Sequence, residues 1–193
     1  MAYTTVNEVK TYLGLSGENS DGLISNLVNA ATAAIDSHTH RTFQAQVNET
    51  REYSLYDVEN GVLWFDDDIC EITTVTVDAD NESGGTVLAS GDYITRPRNK
   101  TPYYGIKIIS SSDNTWTYSS SPDTAIEVSG KWGWSQTPPP NINHACVRLA
   151  GYYYRQKDAQ TFDVTATPEL GQITIPQGIP ADVRVILKPY VKL

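Results

Sequence analysis

Cysteine is scarce in this chain. Cys70 and Cys146 are the only two among 193 residues, too few for a disulfide framework. No stretch approaches the ~18 consecutive apolar residues of a membrane helix, so no membrane partner is expected. The opening MAYTTVNEVK has no basic segment followed by an apolar run, so no secretory signal is expected. Catalytic signatures are missing as well: there is no G-x-S-x-G, no H-E-x-x-H and no G-x-x-x-x-G-K-[ST]. Positive charge is in deficit, with 14 basic against 23 acidic residues and a net charge of −9. Segments 1–48, 49–137 and 138–193 carry −2, −9 and +2, so the excess acid sits in the middle. Such a surface repels phosphate and forgoes the counterion release that drives DNA binding. These absences leave a soluble, acidic protein made in the cytoplasm, not an enzyme, with no cofactor.

Helical signals open the chain. Thr5-Val6-Asn7-Glu8 has capping-box spacing, and a short helix is expected through Leu13, closed by Gly14. Ser20 or Asp21 caps a second helix, whose apolar stripe is Leu23, Leu27, Ala31, Ala34 and Ile35, flanked by Ile24 and Val28. Its alanines allow close approach of another helix, and it ends near His38–Arg41. After Pro138-Pro139-Pro140, a third helix is expected to run to about Lys157. Asn141 or Asn143 would be its cap, and Ala145, Cys146, Leu149, Ala150, Tyr152 and Tyr153 would lie on its apolar side. Gln172–Ile175 is a short strand candidate. Pro180 suits the first residue of a last helix over Ala181–Leu187, which Pro189 would stop.

Between these helices the period changes to that of strands. Glu52–Tyr56, Gly61–Phe65, Ile69–Val77, Thr86–Thr95, Tyr103–Ile109, Thr115–Tyr118 and Ala125–Trp134 are β-branched and aromatic, separated by turn-rich gaps. The expected fold is α+β: a small helical bundle built from both chain ends, with an inserted antiparallel β domain, sandwich or barrel. The divisions are 1–48, 49–137 and 138–193.

Metal and catalytic readings are each weaker than a plain one. His38 and His40 stand two apart, a spacing that points them to different sides of a helix. Asp66-Asp67-Asp68 with Glu71 has the chemistry of a hard-cation site but reads as a solvated turn between strands. Asp78-Ala79-Asp80-Asn81-Glu82 has Ser83 and Ala89 where a calcium loop needs glycine and glutamate, and reads as a hairpin connection. No metal site is expected. Cys146 falls on an apolar helix face, where a core role is the plain reading. Trp132 and Trp134 alternate on one strand and share a face. That suits packing between the β domain and the helices, or alternatively a protein contact surface or a sugar-stacking platform. Leu27, Ala31, Trp132 and Trp134 are therefore the residues picked for contacts between subunits or domains.

Three pieces of the sequence, in order, resemble one family. They are Tyr3-Thr4-Thr5-Val6-Asn7-Glu8-Val9-Lys10-Thr11-Tyr12-Leu13-Gly14 leading to Ile35-Asp36, Thr39 and Arg41-Thr42-Phe43; Pro140-Asn141-Ile142-Asn143-His144-Ala145 with Arg148-Leu149-Ala150 and Tyr153-Tyr154-Arg155-Gln156; and Ile179-Pro180-Ala181-Asp182-Val183-Arg184 with Leu187 and Pro189-Tyr190. Together these are similar to the head–tail connector proteins, or head–tail adaptors, of tailed bacteriophages. The resemblance implies a virion structural protein at the head–tail interface, assembled in the host cytoplasm. It implies a homo-oligomeric ring, a dodecamer, between the portal protein and a tail-completion or stopper protein, with DNA only as passing cargo. It also implies a C-terminal arm that orders on the portal, with Ile179, Pro180, Val183, Leu187, Tyr190 and Leu193 as its contact residues. The competing readings are a carbohydrate-binding or tail-associated β module built on the tryptophans, and a small hydrolase using a carboxylate pair.

Overall fold

Thr5 caps helix α1 (Val6–Leu13) reciprocally with Glu8. The Thr5 hydroxyl accepts from the Glu8 amide at 3.2 Å, and the Glu8 carboxylate accepts from the Thr5 amide at 2.8 Å. The Thr4 hydroxyl donates to the same carboxylate at 2.7 Å. These bonds hold the Glu8 carboxyl below the usual glutamate range, the Thr4 bond most of all. A lowered carboxyl adds stability above its unfolded pKa and loses it as pH falls through the folded value. Glu8→Gln is therefore expected to cost about 0.5–1 kcal/mol at pH 7. Urea titrations should show the two proteins converging as the solution is acidified below the ordinary glutamate range.

The computed structural model describes residues 2–81, 84–159, 165–167, 172–174 and 178–192. Its α-helices are α1, α2 (Asp21–Thr39), α3 (Pro140–Ala159) and α4 (Ala181–Leu187). α3 packs against α1, α2 and α4. The buried face of α2 is Ile24, Val28, Ala31, Thr32, Ile35 and Thr39. The expected stripe is thus turned by about one position: Leu23 stays 41% exposed, and Leu27 and Ala34 are half-buried. The helix has apolar side chains in both registers, and the side carrying Ile24, Val28 and Ile35 is the one that packs. Cys146 lies buried beside the Thr32 hydroxyl at 3.6 Å. Burial pushes its thiol up to about 11, so it is an inert core residue.

Prolines set two helix starts differently from expectation. α3 begins at Pro140, and the Pro139 carbonyl accepts from the amides of Ile142 and Asn143. Neither asparagine caps it; the Asn143 side chain instead donates to the Tyr3 carbonyl at 2.9 Å. Pro180 is the cap of α4 rather than its first residue. Pro189 does not stop the chain's winding but sits inside a 3-10 turn, Lys188–Tyr190, that continues α4.

The strands are β1 (Glu49–Tyr53), β2 (Val58–Glu59), β3 (Val62–Val77), β4 (Thr86–Val87), β5 (Tyr93–Arg96), β6 (Tyr103–Ile108) and β7 (Ile126–Trp132). They form one antiparallel sheet in the order β1-β7-β3-β6-β5, with β2 and β4 pairing at the two ends of β3. The sheet is open, ending at β1 and β5, and is not a closed barrel. Thr115–Tyr118 is not a strand. β3 merges two expected strands into one of 16 residues. Its first half pairs with β6 and its second with β7. Register shifts at Ile69/Glu71 and Ile72/Thr74 bend it between the two. One face carries the core, which includes Leu63, Phe65, Ile69, Val75, Ile106, Ile126, Val128 and Trp132. A separate pair, β8 (Thr165–Thr167) and β9 (Gln172–Thr174), is antiparallel; Ile175 lies outside the described residues. The chain divides into two compact units, Met1–His40 with Pro138–Leu193, and Arg41–Thr137.

Candidate functional site

The acidic run Asp66-Asp67-Asp68 lies inside β3 and is not a turn. Glycine, proline and asparagine are absent from it, so nothing breaks the strand, and two arginines answer its charge. Arg41 donates to Asp68 at 2.5 Å, and Asp68 is only 5% exposed. Arg51 donates to Asp67 at 2.8 Å, a pair open to solvent. Each guanidinium also lies over an indole: Arg41 is 5.0 Å from the centroid of Trp134, and Arg51 is 4.3 Å from that of Trp132. The cluster thus binds the strand through paired charges rather than holding a cation. Among the described residues, no group of three or more histidine, cysteine or acidic side chains is arranged to hold a metal. Asp78 and Asp80 are also spent on local bonds. Asp78 accepts from Asn81 and Ser119, and Asp80 accepts from the Ser120 amide at 2.8 Å and from the Ser121 amide. Glu82 and Ser83 lie outside the described residues.

The two tryptophans do not share a strand face. β7 ends at Trp132, which is 6% exposed and meets the Phe65 ring edge-on at 5.3 Å. Trp134 lies past the strand end, half-buried, 5.9 Å from Phe43. The exposed aromatic surface of this unit is elsewhere: Trp64 and Tyr104 stack at 5.9 Å with 40% and 46% of their areas open. Trp64 alternates with buried Leu63 and Phe65, which is the pattern that places it on the outer face. Beside Tyr104, a cleft of about 270 Å³ is lined by Pro97, Pro102, Lys100 and Trp134, with the Arg41–Asp68 pair. Such a surface suits contact with protein.

In the helical unit, Ala31 is buried and Leu27 half-buried. Val183 and Leu187 are buried on α4, and Ile179, Pro180 and Tyr190 are half-buried. The Lys192 amide donates to the Thr39 carbonyl at 2.9 Å, tying the last described residues to the end of α2. Leu193 lies outside the described residues.

The comparisons with known proteins settle the class. A family model described as head completion protein matches residues 2–193. The chain belongs to the head completion protein family. That family is structural and not an enzyme family, in keeping with the missing catalytic signatures. Solved structures share the fold at low identity. One, from the neck of an empty GTA particle computed with C6 symmetry, has a TM-score of 0.59 and 16% identity, covering 97% of this chain and 89% of that one. Another, from the neck of a native GTA particle computed with C12 symmetry, has a TM-score of 0.58 and 15% identity, covering 97% and 88%. A third, from the virion of a native gene transfer agent particle, has a TM-score of 0.54, 16% identity and coverage of 97% and 89%. A comparison with curated proteins finds no match. Among the described residues no helix is long and apolar enough to cross a membrane.

Proposed function

We propose that this head completion protein is a head–tail adaptor: a ring of identical copies in the neck of a phage-like particle, seated on the portal and extending the DNA channel toward a tail-completion protein. The observation that carries this reading is the family match over residues 2–193. The fold shared with chains of necks treated with C6 and C12 symmetry supports a ring of twelve. Acidity fits a channel wall that passes DNA without holding it. The C-terminal segment around α4 faces the portal, through Ile179, Pro180 and Tyr190 and through Val185, which is 72% exposed; Val183 and Leu187 fasten that helix from within. The carbohydrate-binding alternative is not carried, since Trp132 is buried and the Trp134 ring is shared with Arg41.

Particles made without this protein test the reading. Electron microscopy is expected to show filled or leaking heads with no tails, and added wild-type protein should restore tail joining. Normal tailed particles in its absence would overturn it.

A further inference from the structure

A cleft of about 170 Å³ opens in the helical unit where α1, α3 and α4 meet. Arg148 and Arg155, two turns apart on α3, stand along it with Tyr12, Tyr152, Gly151 and Asp182. Gly151 gives the cleft its depth. A Cβ there would lie 3.0 Å from the Tyr12 ring, so only a bare backbone lets that ring lie against α3. Arg148 donates through Nη2 to Asp182, while its Nε is buried with no hydrogen-bond partner among the described residues. Arg155 is exposed, and no ion pair ties it to another described residue. The cleft therefore holds more donor than its own Asp182 consumes, arranged as a guanidinium fork beside a second guanidinium. That is the chemistry that takes a planar carboxylate.

We propose that this cleft receives an acidic side chain from the next copy of the chain. The inference rests on the ring reading above and names the contact that would close it. Charge supplies the choice of occupant. The unit Arg41–Thr137 holds 15 acidic and 7 basic residues, with exposed carboxylates such as Glu59 and Asp123. A ring joins unlike faces head to tail, so a basic cleft on one copy can meet an acidic surface on the next. DNA phosphate fits less well, because Asp182 already sits in the cleft and the whole chain is at −9.

The test uses the full chain with portal, following ring assembly by light scattering from 50 to 300 mM salt. Arg155→Glu is expected to keep the wild-type thermal midpoint and to need at least about tenfold more protein for half-assembly. Its assembly should also lose most of the wild-type salt dependence. Arg148→Lys, which keeps the charge but loses the fork, should weaken assembly severalfold. If both variants assemble as the wild type does, the cleft proposal is overturned and the ring stands. If the wild type forms no ring, both fall. If the unassembled wild type retains duplex DNA through Arg155, the cleft is a phosphate site and the proposal is wrong.

Discussion

Gly130→Ala is expected to be the most damaging single-methyl change in the β unit. Gly130 sits on β7 opposite Ile72, at the irregular register of β3. A Cβ there would overlap the carbonyl oxygen of Glu71 and come within 2.7 Å of Ile69 Cδ1. The first obstacle is backbone in the middle of the sheet, so relief requires β3 and β7 to separate where the bulge brings them together. Overpacking of this kind costs about 3 kcal/mol or more, equivalent to a fall of roughly 6–12 °C in thermal midpoint for a chain this long. Circular dichroism melting measures it. An unchanged midpoint would mean that β3 and β7 are not held at this spacing.

Arg41→Ala is expected to have the next largest effect. Asp68 has 4% of its side chain exposed, and Arg41 is its ion-pair partner. Removing the guanidinium leaves a carboxylate in a place water barely reaches. Breaking one side of such a pair costs about 3–5 kcal/mol, whereas replacing both partners by apolar groups of similar volume is close to neutral. The loss also removes the cation from the Trp134 ring. Arg41→Ala should therefore destabilise strongly, and Arg41→Met with Asp68→Leu should recover most of the loss. Chemical unfolding of the single and double variants checks this. A mild single variant, or a double variant as unstable as the single, would show that the pair does not hold this part of the sheet.

Local helix signals were legible in the sequence because they act over three or four residues. The Thr5–Glu8 box and the Gly14 stop are both present, and each is set by neighbours along the chain. The orientation of α2 was harder to read. Leu23, Leu27 and Ala34 compete with Ile24, Val28 and Ile35, and only the packing of α3 decides between them. The acidic run in β3 misled because three carboxylates in a row normally seek water. Arg41 and Arg51, 27 and 16 residues from their partners, make a strand tolerable there. That long-range pairing turned two expected strands into one and an expected sandwich or barrel into an open sheet. The tryptophans were placed on one face because alternation was extended past the end of β7 at Trp132. Trp64 and Tyr104, which are exposed, stood in the same alternating pattern and went unremarked. The helical cleft could not be seen in the sequence, since it depends on Tyr12 meeting Gly151 across two helices.

The central claim is that copies of this chain close into a ring on a portal. Native mass spectrometry of the purified chain with its portal measures this directly. The account predicts one dominant species with twelve copies on each portal ring. A portal carrying scattered single copies, or none, would contradict it.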